Sequence, residues 1–343
     1  MPGPITVTIC EFAVRLLVLN CHEPWIYQLR VLNAQLDLVV DLPGRKVAGW
    51  DERMRPVPPN ANSLLLADAL AAPAEQWDAV ICHNISDLID TAPIDAPKLL
   101  VVHDTLDGRM VQQGAKFEKS QMVALLKEYL ERLGAHAVPV TAAKGESWGI
   151  AAEPLHCFAD PADYLAPTYE RAAGLRVAND VASKRVFLAW DFHEAAFRDV
   201  PVTLVGHNPK LGIEAARGWD DLKRHFAAHR FFVHTADPRY EDGFNMAMVE
   251  AMAAGLPVIS NGHPTSPITH GVDGFVAESP SEAREYALKL LADVDLARAM
   301  GAAAQSTARE RFAPEIFRAG ITVAIHAAKT KHSRERHGVG SQA

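Results

Sequence analysis

The stretch "YEDGFNMAMVEAMAAGLPVIS", residues 240–260, opens on acidic residues and a glycine and continues as a helix-like run. It closes on a strand-like Leu-Pro-Val-Ile-Ser. One carboxylate, Glu250, sits among Met246, Ala247, Met248, Val249, Ala251 and Met252, so the helix has apolar neighbours on nearly every side and belongs in an interior. A carboxylate taken out of water must be paired or hydrogen-bonded. A basic core residue would serve, and so would hydroxyl groups of a ligand. Asp242, just ahead of Gly243 and the helix, has the composition of an N-cap.

The spacing favours the ligand. Eight helical residues rise about 12 Å and turn only about 80°, so Asp242 and Glu250 could line one side of a groove. Carboxylates so placed suit the ribose of a nucleotide-sugar and, beyond its diphosphate, the sugar. Between them the first amides, at Gly243, Phe244 and Asn245, and the positive end of the helix suit the diphosphate. Gly243 lets backbone approach closely.

Outward from this stretch, short apolar runs alternate with helix-period segments, the pattern of parallel α/β units. In the first half the strand candidates are residues 14–20, 36–40, 78–84, 98–104 and 135–141, near-continuous in Val, Leu and Ile. "SLLLADALAA" (63–72) and "EKSQMVALLKEYLERLG" (118–134) read as helices, the latter closed by Gly134. The Pro- and Ala-rich residues 158–174 hold the domain junction. Strands at 175–179, 202–206, 231–235 and 256–260 follow, with helices at 183–197, 219–230, 280–292 and 295–310. A last helix, 314–328, starts on Pro314. The polar residues 329–343 read as a mobile tail, and residues 1–13 as an extension upstream of the fold.

At 343 residues the chain is long enough for two domains. Hydrophobic residues make up 49% and charged residues 22%, which is a globular balance. A net charge of −8 argues against a broad nucleic-acid surface. The four cysteines, Cys10, Cys21, Cys82 and Cys157, form no close pair and read as reduced thiols of a cytosolic protein. No apolar run is long enough to span a bilayer.

With these residues in hand, "DGFNMAMVEAMAAGLPVIS" resembles the donor-binding signature of family 4 retaining glycosyltransferases, also described as glycosyl transferases group 1. Asp242 falls where that family usually has glutamate, and Glu250 on its second acidic position. "PITHGVDGFVAES" (267–279), "VTLVGHNP" (202–209) and "LLADVDLARAMGAAAQSTARERFAPE" (290–315) are similar to later parts of the same pattern, and "LLVVHDT" (99–105) to a strand ending near the transfer site. The resemblance implies the GT-B type: two Rossmann-like, doubly wound domains facing a central cleft. Residues 1–165 would form the acceptor side and 166–328 the nucleotide-sugar side, with helix 314–328 crossing back. It implies sugar transfer to an acceptor hydroxyl with retention, the leaving phosphate taking the acceptor's proton, and no metal.

Roles follow from the same resemblance. Glu250 would hold the ribose; Asp242 and His103 would orient the transferred sugar. Lys184 and Arg185 would act as cations at the diphosphate, with Asn179 on the first position of the family's basic pair. Residue types also point to His22, Trp25, His83 and Asp104 at strand ends as acceptor-side candidates. For Trp25 ordinary packing is the alternative; for Asp104, capping of the next turn. His225 and His229 have the spacing of a metal pair but lack the zinc-protease glutamate, and Asp293-Val294-Asp295 reads as a helix cap. The acceptor would be a saccharide, a lipid-linked sugar or a small molecule, with peripheral membrane contact compatible. Two rival readings keep the fold: a non-catalytic sugar-nucleotide binder, permitted by Asp242 and Asn179, and a sugar-nucleotide epimerase.

Overall fold

The computed structural model describes residues 14–42, 44, 45 and 49–339; the extension over residues 1–13 lies outside them. Eleven strands among these residues form two wholly parallel sheets. In the first, β1 (Val14–Leu19), β2 (Ala34–Val40), β3 (Ala61–Leu65), β4 (Ala79–Cys82), β5 (Lys98–Val102) and β6 (His136–Pro139) lie in the order β3-β2-β1-β4-β5-β6. In the second, β7 (Arg171–Val177), β8 (Val202–Val205), β9 (His229–His234), β10 (Val258–Asn261) and β11 (Gly274–Ala277) lie in the order β11-β10-β9-β7-β8. The order reverses between β1 and β4 in one sheet and between β7 and β9 in the other. Ligands bind doubly wound sheets outside the carboxyl ends of the strands at such reversals.

The strands read as continuous apolar runs because both faces are covered. Alternate residues of β1 go to opposite cores. Leu16 and Val18 pack with Ile81, Leu99 and Val101, whereas Leu17 and Leu19 pack with Val80, Leu100 and Leu106. The final helix, Pro314–Val339, covers the first of these faces through Phe317, Ile321, Ala324 and Ala328. Phe231, Phe232, Val233, Met248, Val249 and Val258 anchor the core of the second sheet.

Three expectations need correction. Residues 63–72 are not one helix: Ala61–Leu65 pairs along β2 as the sheet's edge strand, and only Leu66–Ala71 is helical. Edge pairing outweighs the helical preference of the leucines. Residues 183–197 are two helices, Val181–Lys184 and Trp190–Phe197, because Ala189 takes a left-handed backbone (φ 43°) and turns the chain. The last helix runs on to Val339 instead of fraying at 328. Lys329 fastens that extra length to Asp78, beside β4 of the first sheet, and His332 reaches Asp95.

Candidate active site

The carboxyl edges of the two sheets meet at one cavity of about 840 Å³. Its first wall carries Asn20 and His22 after β1, His83 and Asn84 after β4, His103 and Asp104 after β5, and Lys144 after β6. Its second wall carries Asn179 after β7, Thr235 and Ala236 after β9, and Lys184. Phe244, Asn245 and Glu250 of the helical stretch complete it.

The helix Met246–Ala253 begins on Asn245, whose side chain accepts from the Met248 amide at 3.0 Å. The cap is therefore Asn245 and not Asp242, because Asn245 has the extended backbone (φ −143°, ψ 175°) that turns its side chain onto the first turn. Asp242 is fully buried and does not line the cavity, lying behind Thr141 and Lys144, which do. Its Oδ2 accepts from Thr141 Oγ1 at 2.7 Å and lies 2.9 Å from Lys144 Nζ. Glu241, which does line the cavity, stands 3.1 Å from the same ammonium. Burial works against the charge on Lys144, but Glu241 and Asp242 outweigh it and push its pKa up, so it stays protonated.

Gly243 is also placed differently from the expectation. Its amide donates to Thr265 Oγ1 at 2.8 Å, and a Cβ there would come within 2.6 Å of His263 and of the Ser266 amide. The missing side chain makes room for the 263–266 loop. Phe244 and Asn245 are the residues of this turn that face the cavity.

Glu250 lines the cavity and is 6% exposed. It is ion-paired with Arg55, itself 4% exposed, whose guanidinium also lies 3.7 Å from the centre of the Trp219 ring. Of the two partners foreseen for this carboxylate, the structure holds the basic one, and it leaves the cavity beside the pair open. Burial raises the Glu250 pKa, with Arg55 opposing.

The two adjacent cations separate. Lys184 faces the cavity. Arg185 is exposed and held by Asp191 at 2.6 Å and Glu194 at 2.7 Å, which push its pKa up and occupy its donors. It does not line the cavity, a correction to its expected place at a diphosphate. Asn179 does line it, although its Oδ1 already accepts from the His207 amide at 2.8 Å. Gly206 (φ 145°) allows that turn, since a Cβ would fall 2.1 Å from the Ala178 carbonyl oxygen.

On the first wall His83 Nδ1 and His103 Nε2 share a hydrogen bond of 2.9 Å. Burial pushes the His83 pKa down to about 3 and, with His83 adding to it, takes His103 well below the usual range, so both rings are neutral at neutral pH. Trp25 meets both rings edge-on and also packs on Phe317; at 2% exposed it is mainly a packing residue, although it borders the cavity. Asp104 is exposed to the cavity, and the cap of the next helix is Thr105. Cys21, His83 and His103 bring ligand atoms within 4.8 Å of one another and could hold a metal ion. Elsewhere, His229 is engaged by the His225 carbonyl and Thr203 Oγ1, and Asp293 caps its helix through the amides of Asp295 and Leu296.

Comparison with known proteins agrees with the fold. Residues 186–293 match the family described as Glycosyl transferases group 1. That segment is a glycosyl transferases group 1 domain. It contains Glu250, Phe244 and Asn245 and stops short of the first wall. No curated protein sequence matches the chain. Among solved structures, Anabaena HepE in complex with UDP and glucose superimposes with a TM-score of 0.65 at 15% identity, over 91% of this chain and 99% of that one. Sucrose-phosphate synthase from Thermosynechococcus elongatus gives 0.59 at 13% identity, over 96% and 100%. A glycosyltransferase from Rickettsia africae ESF-5 gives 0.59 at 11% identity, over 92% and 99%. The fold is GT-B.

Sequence reasoning passed over Lys144, Glu241, Arg55 and Trp219. Lys144 could have been found, since it lies three residues past Thr141 at the end of β6, where strand-end residues face the crevice. Arg55 carries no local signal, being in the connection between β2 and β3, 195 residues from its partner. Among the described residues no helix is long and apolar enough to cross a membrane.

Proposed function

We infer that this protein is a glycosyltransferase that moves a sugar from a nucleoside-diphosphate sugar to an acceptor hydroxyl, with retention at the anomeric carbon. The observation that carries the reading is the single cavity where the domain's buried Glu250 and its helix start face the neutral histidines of the other sheet. Glu250 accepts ribose hydroxyls. Lys184 and the turn at Phe244 and Asn245 hold the diphosphate and stabilise the charge that builds on it as it departs. His103, a neutral ring, hydrogen-bonds the transferred sugar.

In the transfer the bond from the anomeric carbon to the phosphate oxygen breaks, and a bond to the acceptor oxygen forms. The acceptor's proton goes to the departing diphosphate, so no protein base and no metal is assigned. Asp242 acts indirectly, by holding Lys144 at the cavity wall. His22, Asp104 and Glu241 are left to the acceptor side.

The test is a thermal-shift screen of the full chain with uridine, guanosine, adenosine and thymidine diphosphates and their sugars, followed by transfer assays with the sugar that stabilises most. Stabilisation by one base class with product formation is expected; no stabilisation by any would end the reading. A neutral Asn179 at the cavity wall, with its carbonyl already held by the His207 amide, favours a second reading, a binder without turnover. That reading predicts stabilisation with no transfer on a broad acceptor panel.

A further inference from the structure

The Arg55 side chain raises a question that the donor-site reading leaves open, and the answer below rests on that reading. Its guanidinium does two things at once: it ion-pairs with Glu250 and sits over the Trp219 ring, 3.7 Å from its centre. Both partners belong to the second half of the chain, whereas Arg55 comes from the first, between β2 and β3. A further bond from Nη1 reaches the neighbouring Met54 carbonyl at 2.6 Å. Arg55 and Glu250 both line the cavity, so the pair lies on its wall and is not sealed into a core.

A flat group on an aromatic face, with donors aimed at a carboxylate, is also a description of a nucleoside. The base is the flat group, and the ribose hydroxyls are the donors. If ribose is to reach Glu250, the guanidinium has to leave, because it already takes a carboxylate oxygen. Trp219 does not itself line the cavity; the guanidinium that covers its ring is the one bound to Glu250, so departure of Arg55 uncovers the indole face on the side of that carboxylate. We propose that Trp219 and Glu250 are the two halves of a nucleoside seat, and that Arg55 occupies the seat until the base and ribose of the nucleotide displace its guanidinium. Trp219 thereby becomes a determinant of nucleoside binding by stacking, and Arg55 an internal competitor for the same place.

The exchange is balanced at each contact. Glu250 trades a charged donor for hydroxyls, and Trp219 trades a cation–π contact for base stacking. Competition of this kind lowers apparent affinity by the fraction of molecules in which the seat is open. Removal of Arg55 therefore tightens nucleotide binding. A bridge with only a structural role would give the opposite sign, because its loss loosens the two halves around the ligand.

The experiment is calorimetric titration of UDP, GDP and ADP into the full chain and into Arg55→Ala, Trp219→Leu and Glu250→Gln, with a melting curve on each sample. Arg55→Ala is expected to bind its best diphosphate at least about fivefold tighter than wild type, and Trp219→Leu about tenfold weaker. Should Arg55→Ala not melt cooperatively, Arg55→Gln, which keeps the stem of the side chain, is read in its place. Equal or weaker binding by the Arg55 variant, or unchanged binding by Trp219→Leu, overturns the proposal. If Glu250→Gln still weakens binding in that case, the donor-site reading stands without the seat. Unchanged binding by Glu250→Gln removes both. A wild type that binds none of the three while Arg55→Ala binds one supports the proposal, and no binding by either overturns it.

Discussion

The two walls of the cavity are made alike, from loops at the carboxyl ends of parallel strands, yet they carry different chemistry. The first-sheet wall presents His83 and His103, joined to each other and kept neutral by burial, and its ammonium, Lys144, is already bound by two carboxylates of the second half. The second-sheet wall presents a buried carboxylate and Lys184 beside the start of a capped helix. Under the proposed function the difference is a division of labour. A diphosphate is always charged, so the wall that holds it needs charges fixed in place. Sugar hydroxyls are neutral, and neutral rings can hydrogen-bond them without dehydrating a charge.

The strongest way to break this comparison is at the cations. Loss of a group that stabilises a departing oxyanion costs about 10²-fold in kcat, and that is the effect expected for Lys184→Ala in a transfer assay. Arg185→Ala should stay within about twofold, because an exposed guanidinium already held by Asp191 and Glu194 contributes little. Reversal of the two results would move the diphosphate away from the helix start.

At the other end of the donor, Glu250→Gln keeps the shape of the side chain and removes its charge. Hydrogen bonds to a charged group are worth about 1.5–3 kcal/mol each. A loss of about tenfold or somewhat more in nucleoside-diphosphate affinity is therefore expected by calorimetry. His103→Ala sharpens the contrast from the opposite wall. It should lower turnover about tenfold, roughly one hydrogen bond's worth, while leaving nucleoside-diphosphate affinity unchanged. A parallel fall in that affinity would place His103 with the nucleotide and erase the division.

The same contrast explains what could be read from residues alone. The second wall is written in a short contiguous stretch, where a carboxylate in an apolar helix is anomalous by itself, so Glu250 was visible. Strand ends gave His83 and His103 in the same way, whereas Lys184 came, together with Arg185, from the family resemblance. Where reading failed, a single dihedral or a distant partner decided the matter. Glu241 and Asp242 are adjacent acids that both reach Lys144, and only the direction of the backbone puts one on the cavity lining and buries the other. The charges of Lys184 and Arg185 are equivalent in a sequence, and the turn at Ala189 brings Trp190–Phe197 round so that Asp191 and Glu194 capture the second. Arg55 answers to tertiary structure alone.

A last comparison is between the histidine pair of the first wall and two buried histidines of the second half, of which His234 also borders the cavity. His193 and His234 are 8% and 3% exposed, and burial, helped by the charge of Arg176, pushes both down to about 3. In the unfolded chain they titrate near ~6.5. Between those values the unfolded state binds more protons, so stability is level above the unfolded pKa and declines as the pH falls toward the folded one. By pH 5.5 each contributes a loss on the order of 1 kcal/mol. Glu250 acts the other way, since its raised folded pKa lets the native state bind protons first. The net slope is thus a sum of opposing signs, and a single variant separates them. In urea unfolding, His193→Gln should lose less stability between pH 7 and 5.5 than wild type does. An identical loss would show that this ring is protonated at no cost in the folded state, so that its neighbourhood opens to water on acidification.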